Sequence, residues 1–101
     1  MKVCRLDEIV PDAGVAALIG DEQVAIFRIQ NEIFAVGNRD PFSGANVLSR
    51  GIVGDINGEL VVASPVYKQH FSLLTGRCLE DASVSVPVYQ TRVDGADVLV
   101  L

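Results

Sequence analysis

Apolar residues fall in short runs along this chain, broken by glycine, proline, asparagine or aspartate roughly every 8 to 12 residues. Val15–Ile19 is a short strand-like run closed by Gly20-Asp21. Gln23–Gln30 and Ile33–Val36 are β-branched and aromatic, with Asn31-Glu32 between them as a hairpin turn. The first of this pair is apolar at nearly every position (Val24, Ala25, Ile26, Phe27, Ile29), the pattern of a strand covered on both faces. Ile52–Ile56 and Glu59–Ala63 flank Asn57-Gly58, a pair suited to a two-residue turn that needs positive φ at both central positions. His70–Leu73 and Arg77–Leu79 bracket a turn at Thr75-Gly76, and Val84–Val93 and Asp97–Leu101 bracket one at Asp94-Gly95-Ala96. Pro11 limits Arg5–Asp12 to a single helical turn. Nowhere does a 3.6-residue period persist over the ~10 residues of a stable helix. The pattern predicts an all-β sandwich or barrel.

Length and charge narrow the partners. A chain of 101 residues is the size of one domain, here predicted to span residues 1–101. The net charge is −5, and lysine and arginine form no cluster, which argues against nucleic acid and against an anionic membrane surface. Such a charge is compatible with docking onto a basic protein patch. No run reaches the ~18 apolar residues of a membrane span. Asp7 and Glu8 precede any apolar run, so the N-terminal stretch is not expected to be a secretory signal. Cys4 and Cys78 are then expected as reduced, buried thiols.

Two loops carry the chemistry. Ile33–Val36 and Leu60–Ala63 each run into a proline-containing segment, Asn38-Arg39-Asp40-Pro41-Phe42 and Ser64-Pro65-Val66-Tyr67-Lys68-Gln69-His70-Phe71-Ser72-Leu73-Leu74-Thr75-Gly76. These resemble the cluster-binding loops of Rieske iron–sulfur domains, Cys-Pro-His and Cys-Pro-x-His-Gly-x-x-Phe-x-x-x-Thr-Gly. Pro41, Pro65, Phe71, Leu73, Thr75 and Gly76 keep the frame, but the four ligand positions hold Asp40, Phe42, Ser64 and Tyr67. A Rieske centre needs two thiolates on one iron and two imidazoles on the other. Hydroxyl and carboxylate oxygens are poor substitutes for thiolate, and Phe42 has no lone pair. Cys4, Cys78 and the single histidine, His70, lie off the ligand positions. No cluster is expected. The resemblance implies a Rieske-like fold of three small antiparallel sheets with both loops at one tip. There, Phe42 and Tyr67 are expected to fill the space of a cluster, and Asp40 to accept a hydrogen bond from the Ser64 or Tyr67 hydroxyl.

Other candidates are weaker. His70 is expected as a surface or half-buried strand histidine, with no acid placed nearby by the sequence. Asp7-Glu8 and Glu80-Asp81 fall in turns and are expected to be solvated charge. Neither phosphate-binding glycine pattern occurs, and no nucleophile is recognisably placed with a base. No catalytic, cofactor-binding or metal-ligating residue is predicted in this chain.

Gly14–Arg28, Asn38-Arg39-Asp40-Pro41-Phe42, Val47-Leu48-Ser49-Arg50-Gly51, Val62-Ala63-Ser64-Pro65, with Phe71, Leu73, Gly76 and Cys78-Leu79-Glu80-Asp81, together resemble small subunits of assimilatory NAD(P)H-dependent nitrite reductases. The resemblance implies a cytoplasmic, non-catalytic subunit of an enzyme that reduces nitrite to ammonia. The large catalytic subunit, its partner, would carry the flavin, the [4Fe-4S] cluster and the sirohaem. The former ligand loops, with Asp40, Phe42, Ser64, Val66 and Tyr67, are the predicted docking surface; an edge strand is the competing one. Two other classes compete: an electron-carrier ferredoxin, which the ligand substitutions exclude, and a free-standing cluster-free domain that binds a protein or a small molecule.

Overall fold

Ten strands and two single helical turns form three antiparallel sheets in the computed structural model, which describes Met1–Leu101. The strands are β1 (Lys2–Arg5), β2 (Ala13–Ile19), β3 (Glu22–Ile29), β4 (Glu32–Gly37), β5 (Ile52–Ile56), β6 (Glu59–Ala63), β7 (His70–Ser72), β8 (Val88–Tyr89), β9 (Thr91–Asp94) and β10 (Asp97–Val100). They pair in the orders β1-β10-β9, β2-β3-β4-β8 and β5-β6-β7. The helical turns are Leu6–Glu8, just before Pro11, and Leu48–Arg50. No helix is long and apolar enough to cross a membrane.

The continuous apolar run of β3 has a direct explanation. Val24, Ala25, Ile26 and Phe27 are all fully buried. Successive strand residues point to opposite faces, so Ala25 and Phe27 enter one core with Val36, Leu48, Val62 and Phe71. Val24 and Ile26 enter a second core with Ile9, Ile33, Ala35 and Val98. β3 is thus the wall shared by both cores, as its composition predicts. Removing the side chain of Phe27 would cost ~3–5 kcal/mol.

The β5–β6 hairpin matches its predicted bounds at both ends. Asn57 and Gly58 have φ of 54° and 88°, and the Gly58 N–H donates to Asp55 Oδ1 at 2.8 Å. Elsewhere the fold departs from the pattern. The β3–β4 turn lies at Gln30-Asn31, one residue earlier than Asn31-Glu32, with Gln30 at φ 57°. The sequence pattern does not predict β1, whose pairing is with β10, at the far end of the chain. Val84–Val93 is not one strand, because Pro87 lacks an N–H for the ladder and only Val88–Tyr89 and Thr91–Asp94 are strands, with Ser85 in a single bridge. Arg77–Leu79 contributes isolated bridges, Phe71 to Cys78 and Arg77 to Ser85, rather than a strand.

Candidate functional site

β4 ends at Gly37 and releases the first loop, and β6 ends at Ala63 and releases the second. Asn38 anchors the first. Its buried side chain accepts from the Ser49 N–H at 2.7 Å and donates to Gln23 Oε1 at 3.1 Å and the Asn46 carbonyl at 3.3 Å. The loop closes on itself through Asp40 N–H to the Ala45 carbonyl (2.8 Å) and Gly44 N–H to the Asp40 carbonyl (2.7 Å). The second closes through Ser64 N–H to the Gln69 carbonyl (2.9 Å) and Lys68 N–H to the Ser64 carbonyl (3.1 Å). Gly51 lets the chain leave the Leu48–Arg50 turn close against the end of β6, since a Cβ there would run into the Ala63 carbonyl oxygen.

The side chains at the two cysteine positions of the motif join the loops. Ser64 Oγ donates to Asp40 Oδ2 at 2.6 Å, and both residues are 0% exposed. The other Asp40 oxygen accepts the Phe42 N–H at 2.9 Å, the local turn that aspartate favours. Ser64 Oγ also accepts the Val66 N–H at 3.3 Å. The expected Asp40 contact is therefore made by Ser64 and not by the Tyr67 hydroxyl.

The side chains at the two histidine positions face outward. Phe42 is 36% exposed and Tyr67 59%, with Val66 beside it at 43%. The Phe42 ring lies 6.2 Å from the buried Phe71 ring at 47°, so one side of it rests on the core. Of the two rings expected to fill the space of a cluster, Phe42 packs one face on Phe71 and Tyr67 is mostly exposed. Val66 and Tyr67 follow Pro65 in a short loop whose main chain closes over Ser64, leaving both side chains on its outer surface.

This donor set does not fit an iron–sulfur cluster. A hydroxyl and a carboxylate stand where thiolates are needed and are engaged with each other. A phenyl ring and a phenol stand where imidazoles are needed. No three His, Cys, Asp or Glu side chains converge as a metal site.

One pairing was not visible in the sequence. Glu80 Oε2 lies 2.8 Å from His70 Nδ1, and Glu80 Oε1 accepts the His70 backbone N–H at 2.7 Å. His70 is half-buried, as predicted, but it does have an acid beside it, and Glu80 is not simply solvated. The bridge between Phe71 and Cys78 folds the Cys78–Asp81 segment back along β7, and that proximity is tertiary. Partial burial pushes the Glu80 carboxyl up. Hydrogen bonds from the His70 backbone and ring, the imidazolium charge and the Cys78 thiol outweigh it and hold the group below its ordinary value. Asp81 is exposed and held down by hydrogen bonds from Ser83. Cys78 is buried in one core, whereas Cys4 is only half-buried beside the other, and both are free thiols. Burial, with Glu8 nearby, pushes the Cys4 thiol up.

A profile of the Rieske-like [2Fe-2S] domain family matches residues 1–101. The nitrite reductase (NADH) small subunit of Escherichia coli K12 is 52% identical over 93 residues, covering 90% of this chain and 86% of that protein. The crystal structure of a putative NADH-dependent nitrite reductase small subunit from Mycobacterium tuberculosis superposes with a TM-score of 0.95 at 50% identity, covering 99% of this chain and 91% of that one. A protein named nitrite reductase [NAD(P)H] large subunit, from Klebsiella oxytoca, is 41% identical over 98 residues, which are 97% of this chain but 10% of that protein. With its sheets, its two loops and its ligand-position residues in place, this chain belongs to the Rieske-like [2Fe-2S] domain family and, within it, to the small subunits of NAD(P)H-dependent nitrite reductases.

Proposed function

We propose that this chain is a non-catalytic, cluster-free subunit that docks onto the large nitrite reductase subunit in the cytoplasm through its two former ligand loops. The observation that carries this reading is the loop tip itself. Asp40 and Ser64 fasten the loops from inside at 2.6 Å, while Phe42, Val66 and Tyr67 stay on the outside. Aromatic and aliphatic side chains held on a braced surface are the usual anchors of an interface core. The Klebsiella oxytoca protein supports the pairing, because a domain of this kind forms one tenth of a polypeptide named as the large subunit. Flavin, [4Fe-4S] cluster and sirohaem then belong to the large chain, and electrons need not cross this one. Its contribution is to stabilise the large subunit or to shape access to its electron path.

Phe42→Ala combined with Val66→Asp tests the reading. Neither residue belongs to a core cluster, and Phe42 meets the core only through its contact with Phe71, so the isolated chain should still fold while its affinity for the purified large subunit drops by ~2 kcal/mol or more, the scale of an interface hot spot. Undiminished affinity would move the contact elsewhere, for instance to β2, an edge strand of the second sheet.

A further inference from the structure

We infer that the loop tip is a basic, apolar-centred patch on an otherwise acidic chain, and that its docking partner on the large subunit is an acidic surface. This rests on the loop-docking reading above and adds the partner's chemistry to it. The net charge of −5 by itself points the other way, toward a basic partner. Its distribution reverses that expectation.

Arg39, Arg50 and Lys68, three of the eight Lys and Arg residues, lie in 38–51 and 64–69, the two loops and the helical turn joined to them. All three are exposed. The one acid of thirteen in the same segments is Asp40, which is fully buried and bonded to Ser64. None of the three cations is in an ion pair, whereas Lys2 and Arg5 pair with Asp97 and Asp7. The Arg39 guanidinium lies over Gly44 of its own loop, and Lys68 Nζ rests on the Pro65 carbonyl at 3.3 Å. Arg39 thus shares an exposed loop with Phe42, and Lys68 shares one with Val66 and Tyr67. The patch has acidic borders. Asp21 and Glu22 line the same open cavity as Arg39 and Pro41, and Glu80 stands below the second loop, already paired with His70. Unpaired rim cations around an apolar centre speed encounter with a negative surface and reject a positive one. The acidic borders fix the orientation in which such a surface can approach.

The test measures association and dissociation rates of the full chain with the purified large subunit across a salt titration. The variants are Arg39→Glu with Lys68→Glu, the control Arg92→Glu on β9, and Phe42→Ala with Val66→Asp. The inference predicts that the wild-type association rate falls as salt rises. The loop reversal should slow association roughly tenfold or more, and the β9 reversal should leave it unchanged. Faster or unchanged association of the loop reversal, with Phe42→Ala/Val66→Asp still weakened, overturns the acidic-partner inference and leaves loop docking standing. Wild-type binding by both loop variants overturns loop docking and the inference together. Sedimentation of the chain alone supplies a further arm. A dimer that the loop reversal abolishes would assign the patch to a second copy of this acidic chain and overturn the inference.

Discussion

The most informative residue is Ser64, because its hydroxyl does by hydrogen bonding what a shared iron does in a cluster-bearing relative. It reaches across to a carboxylate that has no exposure to water. Ser64→Ala would leave one Asp40 oxygen buried and short of its donor, and such an unsatisfied group costs about 1–3 kcal/mol, more when charged. Urea unfolding should show that loss, while Tyr67→Phe should stay within about 0.5 kcal/mol of wild type, as a solvent-facing change does. Glu80 gives a second prediction at this scale. A carboxyl held below its ordinary value of 4.5 contributes stability that is present above that pH and lost as pH falls through the lower, folded-state value. Stability measured against pH should therefore drop on the acid side, and Glu80→Gln should flatten the drop. Asp81, also held down, titrates in the same direction, so the flattening is partial.

At the scale of elements, the turns explain both what was legible and what was not. Asn57-Gly58 declares a turn with positive φ at both centres, and the strands beside it fall at their predicted bounds. Gln30 occupies a left-handed conformation without any such signal, and the sequence pattern puts that turn one residue late. That conformation costs a side-chain-bearing residue ~1–2 kcal/mol, against ~0.5–1 kcal/mol for the extra freedom of glycine. Gln30→Gly should accordingly raise the midpoint of thermal unfolding, and a fall would contradict the turn geometry. Pro87 was readable as a strand breaker but is masked by the apolar residues on either side of it. β1 and the His70–Glu80 pair were not readable, since each exists only when distant segments are folded together. The loops were the reverse case. Their frame residues stand out in the sequence, but the outward placement of Tyr67 does not follow from them.

For the whole molecule, two cores sharing β3 carry the fold, and of residues 38–51 and 64–69 only Leu48 enters either of them. A scaffold of this shape should regain a metal centre when its donors are restored. Asp40→Cys, Phe42→His, Ser64→Cys and Tyr67→His introduced together supply the two thiolates and two imidazoles of a [2Fe-2S] centre. Iron and sulfide added anaerobically to that variant should yield a coloured protein. The most direct measurement is the same reconstitution on the natural chain, read by visible absorption and bound iron. The account predicts a colourless protein that retains no iron and still binds the large subunit; a brown chain with a stoichiometric cluster would contradict it.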